Sequence, residues 1–176
     1  MGASGWSYSV PYQEDIADAL EKLRDDVYAR GEHYKQDPDP TRDMTEDEYR
    51  ATLDLANDPD GIQQFLLEEW QQARLRPIPV DADTLIAAQP ESGTHSIIDI
   101  CNGLSEDPDY FTAAPLTADQ TLDLFGTARP STPQVLHWLT TYDIGKIRDR
   151  WEGAYLISYS PDGKPEQIHF TGYSGD

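Results

Sequence analysis

The most enzyme-like residues of this chain lie near position 95, in the segment Gly-Thr-His-Ser-Ile-Ile-Asp. If His169 lies on a neighbouring strand, His95, Asp99 and His169 could work together in acid-base catalysis. Strand alternation opposes this hypothesis, because the apolar Ile97 lies between His95 and Asp99 on the same face. Structural hydrogen bonds are the favoured role of these residues. An enzyme of unrecognised type that uses them is the alternative.

Other catalytic and metal-binding patterns are missing from the sequence. The single Cys101 has the character of a small buried apolar residue, and no Gly-x-Ser-x-Gly or glycine-rich phosphate motif occurs. The histidines lack the close spacing typical of zinc sites. We therefore predict no catalytic residue, no metal site and no cofactor in this chain. Its four histidines are His33, His95, His137 and His169.

The charge of the chain points to a different function. The 176 residues contain 13 basic and 33 acidic side chains, which gives a net charge of -20. A field of this sign repels nucleic acid and anionic lipid and attracts basic proteins. We therefore predict a basic protein partner and no binding to nucleic acid or membranes. A surface acidified only for solubility is the alternative.

The acidic segment from Asp37 to Asp60 is the predicted binding region. Clustered carboxylates accelerate the capture of a basic surface, and exposed aromatic rings prolong the contact. A merely solvated face is the alternative interpretation. The predicted partner-binding residues are Tyr34, Asp43, Glu46, Asp47, Glu48, Tyr49, Asp54, Asp58 and Asp60.

The length and composition of the chain predict the number of domains and the cellular location. With 38% hydrophobic residues, the chain can bury one core, so we expect a single domain over residues 1–176. No signal-peptide pattern and no apolar run of about 18 residues occurs. Cys101 has no cysteine to pair with. The expected location is cytoplasmic.

Strand patterns predict the sheet that must position these residues. Two runs around Pro161-Asp162-Gly163 predict a hairpin over 154–173, and Trp6, Tyr8 and Val10 predict an N-terminal strand. The apolar run 95–100 predicts a further, central strand. The predicted fold is therefore α+β, with a mainly antiparallel sheet packed against several helices.

Helical periodicity and capping patterns fill the segments between the strands. They predict helices from Gln13 to Gly31, from Thr45 to about Ala56, from Ile62 to before Pro77, over 81–88, and after Thr117 and Thr132. Ile62, Phe65, Leu66 and Trp70 are predicted to face inward. The predicted core combines Trp6, Tyr8, Ile97, Ile98, Tyr155, Ile157 and Phe170 with Leu20, Leu23 and Leu136.

Three motifs carry a resemblance. The opening Gly-Ala-Ser-Gly-Trp-x-Tyr-x-Val-Pro-Tyr from Gly2, the central Gly-Thr-His-Ser-Ile-x-Asp from Gly93 and the closing Ser-Gly-Asp that ends at Asp176 resemble a group of small acidic actinobacterial proteins. The resemblance implies a shared fold over most of the chain and brings no activity. In general character, the chain also resembles the immunity proteins that neutralise bacterial toxins.

These observations lead to one hypothesis about function, with two alternatives. The leading hypothesis is a cytoplasmic immunity protein that masks the active or substrate-binding surface of a basic toxin. If that toxin acts on nucleic acid, the carboxylates would occupy the places of phosphates. The alternatives are the enzyme that uses His95, Asp99 and His169, and an accessory or scaffold protein without inhibitory activity.

Overall fold

A computed structural model describes residues 4–36, 40–90 and 92–175. The chain divides into two compact units, Met1–Lys35 with Pro79–Asp176 and Gln36–Ile78. The single domain over residues 1–176 stays a prediction. The residues of the predicted patterns that lie outside the described residues are Gly2, Ala3, Asp37 and Asp176.

The larger unit contains a four-stranded sheet with helices on both faces. Its strands are β1 (Gly5–Pro11), β2 (Ala113–Pro115), β3 (Gly153–Tyr159) and β4 (Pro165–Tyr173). Its α-helices are α1 (Ile16–Arg30), α4 (Ala82–Ala88), α5 (Ala118–Phe125) and α6 (Thr132–Thr141), and short 3-10 helices span Ile97–Asp99 and Ile144–Lys146. The smaller unit contains α2 (Glu46–Ala51), a 3-10 helix (Leu55–Asn57) and α3 (Ile62–Leu75).

The sheet has the strand order β1-β4-β3-β2. β4 pairs antiparallel with both β1 and β3, and only the short β2 runs parallel to its neighbour β3. The predicted α+β fold with a mainly antiparallel sheet is therefore confirmed. The N-terminal strand and the C-terminal hairpin are confirmed as neighbours, since Tyr8 lies opposite Phe170.

Alternate residues of the sheet pack against two different layers. Trp6, Ile168 and Phe170 belong to a core with α1, α4 and the segment Ile97–Ile100. Ala154 and Leu156 project from the opposite face into a second core with α6. Two expectations about the core are wrong: Leu136 is 44% exposed, because Val135 and Trp138 fill the buried positions of α6, and Ile157 is only half-buried.

The predicted strand over residues 95–100 is also wrong. His95 has a φ of 53°, and a 3-10 helix follows, in which the Ser96 hydroxyl accepts a hydrogen bond from the Ile98 amide at 3.3 Å. The apolar run is buried on all sides, and such a run does not distinguish a strand from a helical turn. The fourth strand of the sheet is instead β2, the short strand Ala113–Pro115.

Local capping patterns place the helices where the sequence predicts them. Thr45 and Glu48 form the predicted capping box of α2, Thr117 caps α5, and Gly31 ends α1 in the left-handed conformation. α2 ends at Ala51, five residues before its predicted end, where the Thr52 hydroxyl bonds the Tyr49 carbonyl at 2.7 Å.

No helix of the described residues is long and apolar enough to cross a membrane.

Candidate functional site

The predicted carboxylates lie on the surface of the smaller unit. Glu46, Asp47 and Glu48 form the first turn of α2, and Asp54 precedes the short 3-10 helix. Eight of the nine predicted partner-binding residues belong to this unit, whereas Tyr34 belongs to the larger one. Their role in binding stays a prediction.

Three of these carboxylates also have structural partners. Glu46 accepts a hydrogen bond from Arg50 at 2.7 Å, and Glu48 accepts one from the Thr45 amide at 2.7 Å, so the pKa of each carboxyl is lowered. Asp58 accepts a hydrogen bond from the Gln64 amide at 2.9 Å, at the start of α3. Within the described residues, no side-chain hydrogen bond or ion pair holds Asp43, Asp47, Asp54 or Asp60, which leaves these four for a partner.

The two predicted aromatic anchors are already packed within their own units. The half-buried Tyr49 stacks on Trp70 with 4.5 Å between ring centroids. Tyr34 stacks on His95 at 4.9 Å, and its amide donates to the Thr94 carbonyl at 2.7 Å. Both rings therefore have a structural role, whatever else they contact.

An exposed apolar surface of the smaller unit lies on α3. Ile62 is 56% exposed, Phe65 57% and Leu66 40%, although all three were predicted to face inward. Trp70 is buried as predicted, Leu67 is buried in place of the other three, and the Trp70 indole donates to the Thr41 carbonyl at 3.1 Å. We call Ile62, Phe65 and Leu66 the α3 apolar face.

The helical spacing of apolar residues in the sequence does not show which side of α3 is exposed. Apolar residues occur around most of α3, so helical spacing allows two groupings of them. Trp70 can be placed on one side with Ile62, Phe65 and Leu66, or on another side with Leu67. Only the contact between Tyr49 and Trp70 decides which side is covered. The remaining side is apolar and open.

The α3 apolar face occurs in a strongly acidic part of the chain. Residues 36–78 contain 11 acidic and 4 basic side chains, a net charge of -7 over 43 positions. Two basic residues of the unit have acceptors of their own, because Arg50 pairs with Glu46 and Arg74 donates to the Met44 carbonyl. A partner that binds here would contact the α3 apolar face in a unit that carries a net negative charge.

A buried polar group in the larger unit connects the three motifs of the sequence. The fully buried Asp99 accepts hydrogen bonds from the Thr94 amide at 2.7 Å, the Thr94 hydroxyl at 2.8 Å and the Ser174 hydroxyl at 2.5 Å. The Ser174 amide donates to the Ser4 carbonyl at 3.0 Å, and Ser4 contacts His95 at 3.3 Å. Burial raises the pKa of the Asp99 carboxyl, and these hydrogen bonds partly oppose the rise.

The same region has strained backbone and close packing. His95, Phe111 and Trp151 all have positive φ, and the Phe111 and Trp151 rings lie 5.2 Å apart. A Cβ atom on Gly93 would lie 2.5 Å from the Trp151 ring. Glycine fits there because it has no Cβ and tolerates the positive φ of 61°, so packing against Trp151 explains the glycine of the central motif.

His169 belongs to a second buried group, in the row that crosses β1, β4 and β3. Its Nδ1 lies 2.7 Å from the Ser9 hydroxyl, and its Nε2 lies 2.9 Å from the Ser158 hydroxyl. Burial lowers the pKa of His169 to about 4, so the ring is neutral at pH 7. Both nitrogens are occupied within the sheet, which leaves neither available to a substrate.

The three residues of the enzyme hypothesis have different hydrogen-bond and ring-stacking partners. His169 bonds Ser9 and Ser158, Asp99 bonds Thr94 and Ser174, and the half-buried His95 stacks on Tyr34. These are three different sets of partners. Within the described residues, no group of three or more His, Cys, Asp or Glu side chains is placed to hold a metal ion.

Cys101 and Arg148 have the surroundings of structural residues. Burial raises the pKa of the half-buried Cys101 thiol, which opposes formation of a nucleophilic thiolate. Arg148 is buried and donates to the carbonyls of Gly153 at 3.1 Å and Ala114 at 3.3 Å, so it ties β2 to β3.

Comparison of the chain with protein-family models, with curated proteins and with solved structures gives no match. The class defined by the fold is an α+β protein with an acidic, apolar-faced helical unit.

Proposed function

We propose that this protein is an inhibitor that binds a basic protein through its smaller unit, in the manner of an immunity protein that neutralises a toxin. The observation that carries the proposal is the α3 apolar face, where three large side chains are 40–57% exposed on one helix. Contiguous exposed apolar groups with a polar surround are typical of protein-binding surfaces. The acidic surround selects the partner.

The charge favours a basic partner over a second copy of this chain. Each copy carries a net charge of -20, so two copies repel each other at long range. A basic surface would be attracted and then held by apolar contacts with Ile62, Phe65 and Leu66. Inhibition follows if the contact covers the active or substrate-binding surface of the toxin. For a toxin that acts on nucleic acid, Asp54 and Asp60 would occupy places normally taken by phosphates.

The test measures binding of this protein to a purified basic toxin domain, for which the products of the neighbouring genes are the first candidates to screen. We expect tight binding and loss of the toxin activity at equimolar inhibitor. Phe65→Ser combined with Leu66→Ser should weaken binding at least about tenfold, mainly through faster dissociation. The matched control is Leu122→Ser with Leu136→Ser, which changes two similarly exposed residues of the larger unit and should leave binding unchanged.

A second pair of variants tests electrostatic steering. Asp54→Lys with Asp60→Lys should slow association in stopped-flow measurements, and the difference should shrink as salt rises. Asp58 is left intact because it caps the Gln64 amide. Glu106→Lys with Asp107→Lys gives the same charge change on the larger unit and serves as the control.

The outcomes separate the possible functions. Binding without loss of toxin activity would indicate an accessory or scaffold protein and would remove the inhibitory part of the proposal. If neither Phe65→Ser with Leu66→Ser nor Asp54→Lys with Asp60→Lys changes binding, the proposed binding surface is wrong. Activity of the protein itself, abolished by His95→Ala, would favour the enzyme alternative.

A further inference from the structure

β1 forms one edge of the sheet, and every second residue of the strand directs its backbone groups outward. The Ser174 amide donates to the Ser4 carbonyl, and the Tyr12 amide donates to the Glu166 carbonyl, each at 3.0 Å. In this antiparallel register, the even-numbered residues of β1 bond β4. The N–H and C=O groups of Gly5, Ser7 and Ser9 therefore point away from β4, and no described residue pairs with them.

This edge lacks most of the features that normally block strand pairing. Gly5, Ser7 and Ser9 are exposed, small and uncharged, and the pairing of β1 with β4 contains no bulge. Edge strands are usually protected by charges, prolines or bulges. Here only Pro11, at the end of the strand, serves that purpose. The result is an open seven-residue template for strand addition.

A pocket lies directly beside the open edge. It has a volume of about 180 Å³, and Gly5, Ser7 and Thr171 line it together with residues of α6 and the segment after it. The small side chains of β1 leave space for a larger group from an adjacent strand. The other side chains that line the pocket include Trp138, Leu139, Tyr142 and Ile144, and polar atoms form the larger part of its exposed surface.

We propose that β1 binds an extended segment of another protein by strand addition, with one side chain of that segment in this pocket. Backbone hydrogen bonds would supply affinity, and the pocket would supply selectivity. The segment carries Lys or Arg beside the residue that enters the pocket, because the protein has a net charge of -20. The same charge disfavours a second copy as the occupant. The inference uses no residue of the smaller unit and does not depend on the proposed function.

The probe is an eight-residue peptide of alternating threonine and valine or phenylalanine, with lysine at both ends. In an NMR titration of the ¹⁵N-labelled protein, we expect the largest shifts at the Gly5, Ser7 and Ser9 amides and at the Trp138 indole. Hydrogen exchange of the three amides should slow when the peptide is bound. A peptide N-methylated at the residues that face β1 cannot donate these hydrogen bonds and should not bind.

Two substitutions at one position provide the matched test. Ser7→Pro removes an outward N–H and leaves the pairing with β4 intact, which is the position where an edge strand tolerates proline. It should weaken peptide binding at least about fivefold, the loss of one hydrogen bond of about 1 kcal/mol. Ser7→Ala keeps the N–H and should bind within about twofold of the parent.

Several results would overturn the inference. They are equal binding of the N-methylated peptide, shifts confined to the smaller unit, and a dimer of the protein that forms through β1 in sedimentation experiments. If Ser7→Pro fails to fold, the comparison of the two peptides on the parent protein still decides the question. Phe65→Ser with Leu66→Ser should leave peptide binding unchanged, so failure here is distinguishable from failure of the proposed function.

Discussion

The two units use polar and apolar side chains in opposite ways. The larger unit buries Asp99, Arg148 and His169 and pairs each with hydrogen-bonding groups of the sheet and its surrounding turns. The smaller unit buries little more than Leu67 and Trp70 in its helices and leaves the α3 apolar face open. Buried polar groups with satisfied partners fix a unique structure, whereas exposed apolar groups gain from contact with another molecule.

This difference also predicts how stability is distributed. β4 is joined to β1 and β3 by long antiparallel ladders, and the hydrogen bond between Ser174 and Asp99 holds the C-terminal segment. The smaller unit depends on the stack of Tyr49 on Trp70 and a few caps. Units with few buried apolar contacts open at lower free energy than the rest of a protein. Substitutions should therefore act on the two units very differently.

The largest expected effect is a loss of stability in the larger unit when one methyl group is added at Gly172. A Cβ on Gly172 would lie 2.7 Å from the Glu152 carbonyl oxygen and would overlap the Trp6 ring. Gly172→Ala should reduce the free energy of unfolding by more than about 3 kcal/mol, measured by urea denaturation. Gly5→Ala is the control, because the nearest atoms to its Cβ are 3.9 Å away. Equal stability of the two variants would contradict the packing at the chain ends.

The next effect concerns pH and the buried His169. Its pKa of about 4 in the folded protein lies below its ordinary value of 6.5, so the unfolded chain binds a proton first as pH falls. The free energy of unfolding should therefore drop by roughly 2 kcal/mol between pH 7 and pH 5 through this residue. Denaturation of the parent and of His169→Gln at several pH values gives the difference. The same slope in both proteins would show that His169 does not cause it.

The smallest effect sharpens the comparison from the other side. Phe65→Ser and Leu66→Ser remove exposed apolar groups and should each change the free energy of unfolding by no more than about 0.5 kcal/mol. Leu67→Ala, on the buried side of the same helix, should cost about 2 kcal/mol or more and speed hydrogen exchange within α3. A large loss of stability from the serine variants would mean that the α3 apolar face is covered in the folded protein.

Features that depend on neighbours in the sequence were predictable. The hairpin over Pro161–Gly163, the capping box of Thr45 and Glu48, and the end of α1 at Gly31 follow from hydrogen bonds and φ values within a few residues. The acidic character of the smaller unit follows from counting residues. None of these features needs the rest of the fold.

Features that depend on which surfaces meet were not predictable. The run 95–100 contains a 3-10 helix at Ile97–Asp99 rather than a strand, because Thr94 and Ser174, 80 positions apart, both bond Asp99. The open side of α3 is set by the stack of Tyr49 on Trp70, and the open edge of β1 is set by the register with β4. The spacing of apolar residues indicates that a helix has an apolar side or that apolar and polar residues alternate along a strand. Only long-range packing determines which side is covered, because burial is a property of contacts between segments that are distant along the chain.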